Sequence, residues 1–379
     1  MSGTIAVVRC DTYDVERVEA AVARGFALLG GLDRFVAANE RILLKPNLLR
    51  GSAPAKAVTT HPAVLRAVAK QLQAASCTVS YGDSPGFGSG HHVARRAGLE
   101  AVEKELKLEF ADFQIPETRP FPEGYLSKKF TVAKALFEVD GVVSLPKLKT
   151  HALTRMTGAV KNQFGCIPGI RKGEFHARLP EMDRFAQMLV DLTRFVHPRL
   201  YVMDAIVAME GNGPGSGDPR TIGALLFGTD PVAMDTVACR LMNLDPMTVP
   251  TIRWGHEIGL GNATGYTLEG DALDGLAIED FKADRKTGST TGAMNSVLAR
   301  VLKQLLTPRP VINPDVCTRC GNCVKVCPAT PKALAFKEGN ANPPVYNYTT
   351  CIRCYCCQEL CPSEAISVWT PPLGRIVHR

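Results

Sequence analysis

Nowhere does the chain hold the roughly 18–20 uninterrupted apolar residues that a membrane-spanning helix requires. It has no Lys/Arg run of five or more and no basic residues interleaved with aromatics. Its formal net charge of +7 therefore does not describe a nucleic-acid-binding surface. A P-loop (G-x4-G-K followed by Ser or Thr) is missing, and so is G-x-G-x-x-G. The two nearest glycine runs carry His91 and Ser216 where the third glycine belongs. Met1–Cys10 has neither a basic segment nor a cleavage site, so export is not expected. The expected location is the cytoplasm, with no nucleic-acid or membrane partner. A chain of 379 residues, 45% hydrophobic and 21% charged, can still bury the cores of two or three domains.

Cysteine is what the chain has in excess, and at one end. Nine of the thirteen lie from Cys317 onward, eight of them in two copies of C-x2-C-x2-C-x3-C-P. That spacing is the one found in bacterial two-cluster ferredoxins, in which three closely spaced thiolates wrap one cubane and the fourth crosses to the other. One cluster is expected on Cys317, Cys320, Cys323 and Cys361, the other on Cys351, Cys354, Cys357 and Cys327. Structural zinc sites usually pair two C-x2-C units without a third evenly spaced cysteine or a trailing proline. Cys356 is a ninth cysteine and reads as a spare beside the ligands. The expected cofactors are two 4Fe-4S clusters, assembled in a reducing, oxygen-poor compartment.

Upstream, strand and helix signals alternate over residues 1–280. Strands are expected at Thr4–Arg9, Arg41–Leu48, Thr78–Tyr81, Leu136–Leu145, Leu200–Val207 and Ile222–Phe227. Helices are expected at Val15–Leu29, His61–Ala75, Met182–Val196 and Pro231–Met242. Strands separated by helices of this length argue for an α/β domain, a mostly parallel sheet with helices on both faces. Residues 281–310 read as a linker with a short helix, Ser296–Leu306, and a stiff Pro308–Pro310 connector. Residues 311–379 read as a small α+β ferredoxin-like domain, with a surface hairpin or loop over Thr330–Thr350.

Open parallel sheets bind ligands beyond the carboxyl ends of their strands, and here those ends carry chemistry. One gives Lys45 and Asn47, another Asp83. A third gives Lys147, Lys149 and His151, which period-two geometry points to one face if the segment stays extended. Such a set repels itself unless an anion lies between its members, although lysines also guard edge strands against aggregation. The glycine-rich segment Gly158–Gly173 adds Lys161, Asn162 and Lys172, and Cys166, whose pKa the neighbouring cations are expected to lower. Gly211 and Gly213 open a further glycine loop suited to close backbone approach. His151 is the expected proton donor and Lys161 its catalytic partner, stabilising charge that grows during reduction. The others are expected to bind a carboxylate or phosphate ligand.

KPNLL (45–49), GDSPG (82–86), PKLKTH (146–151), GAVKNQFG (158–165), EGNGPGSG (210–217) and GTDPVAMD (228–235) follow one another along the chain. In this order they resemble the domain of unknown function 362 family, often fused to a two-cluster ferredoxin module. The resemblance implies that these Lys, Asn, His and Gly positions are the family's signature residues, and it names no reaction. The resulting expectation is an iron–sulfur oxidoreductase passing single electrons to an anionic small molecule, or to a cofactor holding it. It would take them from, or return them to, a low-potential partner protein. The alternative is an electron-transfer adaptor or metabolite sensor without chemistry of its own. A flavin is compatible with the chain but unsupported by any fingerprint, and a homo-oligomer is equally compatible.

Overall fold

The near-continuous apolar runs of the first 280 residues form strands buried on both faces, as parallel sheets demand. The computed structural model describes residues 3–169, 171–284, 304–337 and 339–377. From one edge, the main sheet runs Thr267–Gly270, Thr4–Arg9, Asp218–Gly228, Leu200–Glu210, Gly141–Leu145, Arg41–Pro46, Thr78–Tyr81 and Glu109–Phe110. Asp218–Gly228 is antiparallel to both neighbours, and the pairings from Leu200–Glu210 to Glu109–Phe110 are parallel. Val15–Leu28 and Pro62–Ala74 cover one face through Val22, Phe26, Val64 and Leu72. Met182–Val196 and Pro231–Leu241 cover the other. The mostly parallel α/β sheet is what forms.

Two details differ from expectation. The strand expected from Leu136 begins at Gly141, because Lys134–Phe137 is a tight helical turn whose Leu136 and Phe137 pack on the core without being extended. The Pro308–Pro310 segment is no free connector: Arg309–Ile312 pairs antiparallel with Ile366–Trp369 as a strand of the small domain. The expected helix Ser296–Leu306 and loop 281–295 lie largely outside the described residues. Between the two cysteine motifs, Leu334–Ala335 and Val345–Tyr346 form the expected hairpin.

The cysteine-rich domain docks against the strand ends of its own chain. The Arg50 guanidinium donates to the carbonyls of Cys361 and Gly215 and pairs with Glu364 at 3.3 Å. Gln358 Nε2 donates to the Asn212 carbonyl at 2.8 Å and the Gly213 carbonyl at 3.2 Å. Asn212 Nδ2 answers by donating to the Ile366 carbonyl at 2.9 Å.

Candidate functional site

The strand Lys147–His151 is extended, and its alternate residues meet different partners. Lys147 lies opposite Asp204 in register. Its ammonium donates to Asp204 Oδ2 and Tyr13 Oη, both at 2.8 Å. Between Asp204 and Met209 the neighbouring strand bulges, so Lys149 meets no acid there. Lys149 Nζ donates to Asn47 Oδ1 at 2.7 Å and the Val58 carbonyl at 2.6 Å. At the strand end, His151 Nδ1 accepts from the Leu153 and Thr154 amides at 3.1 and 3.3 Å, which leaves the proton on Nε2. Nε2 lies 3.2 Å from Glu359 Oε1, across the domain seam.

The short helix Ala159–Asn162 is held by Asp235, whose carboxylate accepts from the Ala159 and Val160 amides at 2.5 and 3.2 Å. It presents Lys161, whose ammonium sits 4.7 Å from the Phe164 ring centroid. Asn162 is fully occupied in tying this helix to the sheet. Its Oδ1 accepts from Lys45 and Asn47, and its Nδ2 donates to the Lys45 carbonyl and Ser144 Oγ. Lys45 pairs with Asp83 at 2.8 Å, fully buried, and Asp83 Oδ2 also accepts from the Leu48 amide. A Cβ on Gly165 would lie 1.9 Å from Asp83 Oδ1, so only glycine fits against this pair. Lys172 Nζ donates to Ser84 Oγ at 2.8 Å and the Ile167 carbonyl at 2.6 Å.

These groups converge on a cavity of about 660 Å³ between the two domains. Asn47, Asp83, Lys149, His151, Lys161, Asn162 and Lys172 line it from the sheet side; Cys327, Cys356 and Glu359 line it from the cysteine-rich side. Among the described residues, no carboxylate lies within 4 Å of the Lys149, Lys161 or Lys172 ammonium groups. Burial lowers the pKa of all three, most strongly at Lys149, where Lys161 adds repulsion; Lys172 is pushed down to about 7. Burial likewise lowers the pKa of His151. The Glu359 carboxyl, which burial alone would raise, is held low by its neighbours His151 and Lys161.

The structure does not bring every expected residue here. Lys45 and Lys147 are neutralised by their own aspartates and do not line the cavity, so they serve as buried struts. Gly211 and Gly213 line a different cavity. A Cβ on Gly213 would lie 2.3 Å from the Thr150 carbonyl, which makes this glycine a packing requirement. Cys166 is fully buried and its pKa is raised to about 12, because burial outweighs the nearby lysines; it is the reverse of an activated thiol. Two lining residues escaped the sequence reading. Glu359 sits inside the second cysteine motif, where spacing drew attention only to the ligands. His176 is buried with Nδ1 unpartnered, its ring stacked on Phe185 at 4.5 Å between centroids.

Two small cavities beside the seam fit the clusters. Cys317, Cys320, Cys323 and Cys361 line one, and Cys327, Cys351, Cys354 and Cys357 line the other. Among the described residues no three metal-ligating side chains converge tightly enough for a single ion. Thiols spread around a cavity suit the four corners of a cubane and not a lone zinc. Cys327 lines both its small cavity and the large one.

A family model described as Domain of unknown function (DUF362) matches residues 42–240, and one described as 4Fe-4S dicluster domain matches residues 309–362. A thylakoid-associated protein of Synechocystis sp. is 36% identical over 269 residues, covering 71% of this chain and 83% of that protein. The lactate racemase apoprotein of Thermoanaerobacterium thermosaccharolyticum superposes with a TM-score of 0.41 at 13% identity, over 63% of this chain and 57% of that one. A Thermotoga maritima protein gives 0.34 at 12% identity, over 62% and 60%. This chain thus spans less than two thirds of either solved structure. The dicluster domain makes the protein a carrier of two 4Fe-4S clusters and of single electrons. No helix among the described residues is long and apolar enough to cross a membrane.

Proposed function

We propose, for this chain, which belongs to the family described as Domain of unknown function (DUF362) and carries a 4Fe-4S dicluster domain, an oxidoreductase activity on an anionic small molecule held in the seam cavity. One observation carries the reading: three inward-facing ammonium groups without a carboxylate partner line a cavity that Cys327, a cysteine of the dicluster domain, also lines. Buried cations are stable when paired, and a carboxylate or phosphate in the cavity supplies the missing partner.

The clusters, when bound, supply the electrons one at a time. The chain's own residues do the rest. Lys149, Lys161 and Lys172 bind the ligand's oxyanion, and Lys161 offsets the negative charge that grows as a double or carbonyl bond takes up two electrons. Reduction also needs two protons. The Lys161 and Lys172 ammonium groups, made more acidic by burial, can each give one; His151, whose Nδ1 is engaged by two backbone amides, offers the ligand only its Nε2–H hydrogen bond, which Glu359 orients. The docked domain walls one side of the site through Cys327, Cys356 and Glu359. A low-potential protein outside the cavity supplies or removes electrons. The reading places the chain in a reducing compartment, the cytoplasm, where thiolate-bound clusters persist.

The test is an anaerobic reoxidation screen. Dithionite-reduced protein, freed of excess reductant, is mixed with pools of carboxylate or phosphate metabolites while cluster absorbance is followed. Reoxidation by one pool, lost in Lys161→Gln, is the expected result. Reoxidation by partner proteins alone, with no response to any pool, would replace the enzyme by an electron-transfer adaptor.

A further inference from the structure

We propose a second oxyanion site at the other end of the same seam, built on Arg155 and Arg353. A cavity of about 470 Å³ there is lined by both arginines together with His151, Asn212, Lys282 and Tyr355. Asp284 is the acidic residue on its lining among the described residues, against three cations, of which Lys282 pairs with Glu210 at 3.6 Å. Arg155 and Arg353 are 6% and 4% exposed, and Nε and Nη1 of each lack a hydrogen-bond partner. Arg353 spends Nη2 on Gln304 Oε1 at 3.0 Å, and no carboxylate lies within 4 Å of either guanidinium among the described residues.

Arg353 lies over the Tyr348 ring, 5.1 Å from its centroid, but the cysteine motif does not itself call for a buried arginine. Arg319 holds the position in the first cysteine motif that Arg353 holds in the second, yet Arg319 is exposed and simply donates to the Ala341 carbonyl. Cluster binding therefore does not require a buried arginine. Arg155 closes the tight turn between Lys147–His151 and Arg155–Thr157 with φ at +69°, where glycine or asparagine would sit at less cost. A guanidinium offers two parallel N–H bonds only through Nη2, beside Nε or beside Nη1. Arg155 Nη2 has no hydrogen-bond partner among the described residues, so Arg155 can take a planar or tetrahedral oxyanion bidentately, and Arg353, which shares its Nη2 with Gln304, adds a second positive charge. The ligand is a small molecule bearing one such group, and the volume suits a metabolite. This site shares the His151 wall with the lysine-lined cavity but none of its cations, so it goes beyond the proposed activity and stands without it.

The experiment is anaerobic equilibrium binding to the full-length, cluster-loaded chain, with inorganic phosphate as one probe and malonate as the other. Wild type is expected to bind two anions per chain. Arg155→Gln should lose one with circular dichroism and iron content unchanged, and Lys161→Gln should lose the other. The tighter probe identifies the ligand's charged group. If Arg155→Gln does not fold, Arg155→Lys, which keeps the charge but not the fork, should weaken the arginine-dependent event at least tenfold. Unchanged stoichiometry and affinity for both probes in the folded Arg155 variant overturns this site and leaves the lysine cavity standing. Two events retained in Lys161→Gln with one lost in Arg155→Gln sinks the lysine cavity instead.

Discussion

The two cysteine motifs have identical spacing, and the fold treats them oppositely. In the first, Cys320, Arg319 and Lys325 are exposed. In the second, Arg353, Tyr355, Cys356, Cys357, Gln358 and Glu359 are all buried, and Gln358 and Glu359 meet the α/β domain directly. The non-ligand residues show why. Gly321 becomes Tyr355, which keeps the left-handed backbone at φ +62° and packs into the core with its hydroxyl donating to the Pro308 carbonyl. Val324 becomes Gln358, which clamps the Asn212–Gly213 turn, and Lys325 becomes Glu359, which meets His151. A motif that specifies a cofactor leaves its intervening positions free. In one copy those positions meet solvent, and in the other they build an interface.

Substitutions that exchange the two copies' roles should show this asymmetry. The largest effect is expected from the ligands. Cys320→Ser and Cys357→Ser should each cut iron from the eight atoms of two four-iron clusters to about four. The loss of melting temperature should be greater in Cys357→Ser, whose loop forms the seam; equal losses would mean that the second motif is no more structural than the first. Next comes Gln358→Val, which restores the first motif's residue and strips the half-buried Asn212 and buried Gly213 carbonyls of a donor. It should cost about 1–3 kcal/mol by denaturant titration, while the reciprocal Val324→Gln should cost almost nothing. Smaller still is the charge exchange. Glu359→Gln should tighten phosphate binding roughly fivefold by removing the acid from the cavity, and Lys325→Gln, on an exposed side chain, should weaken it less than about twofold.

The mildest prediction concerns pH. Burial holds Lys172 at about 7, so above that pH the empty cavity contains it mostly neutral. An anion favours the ammonium, raising its pKa, so binding takes up a proton. Affinity should fall by up to about tenfold per unit as the pH rises above neutrality. Lys172→Gln should flatten the profile. A profile that instead improves with rising pH would exclude Lys172 from the site.

How much of this was legible depended on the range of the interaction involved. Strand and helix positions in the α/β domain follow from apolar periodicity within a few residues, and Thr4–Arg9 or Thr78–Tyr81 form where that pattern places them. Leu136–Phe137 misled because an apolar pair packs as well from a turn as from a strand. At the site, the sequence pointed to strand-end lysines as a class but not to which of them are free. Lys147 is silenced by Asp204, 57 residues away, and Lys45 by Asp83. Cys166 needed its burial to be known before the sign of its pKa shift could be stated.

The sequence by itself determined the pair of clusters and the parallel α/β scaffold, because ligand spacing and amphipathic period act through a few consecutive bonds. The unpaired lysines, the His151–Glu359 contact and the two cavities on either side of His151 were decided only by the tertiary structure. Burial and charge neutralisation are set by neighbours that the chain brings together from distant positions, and no local pattern encodes them.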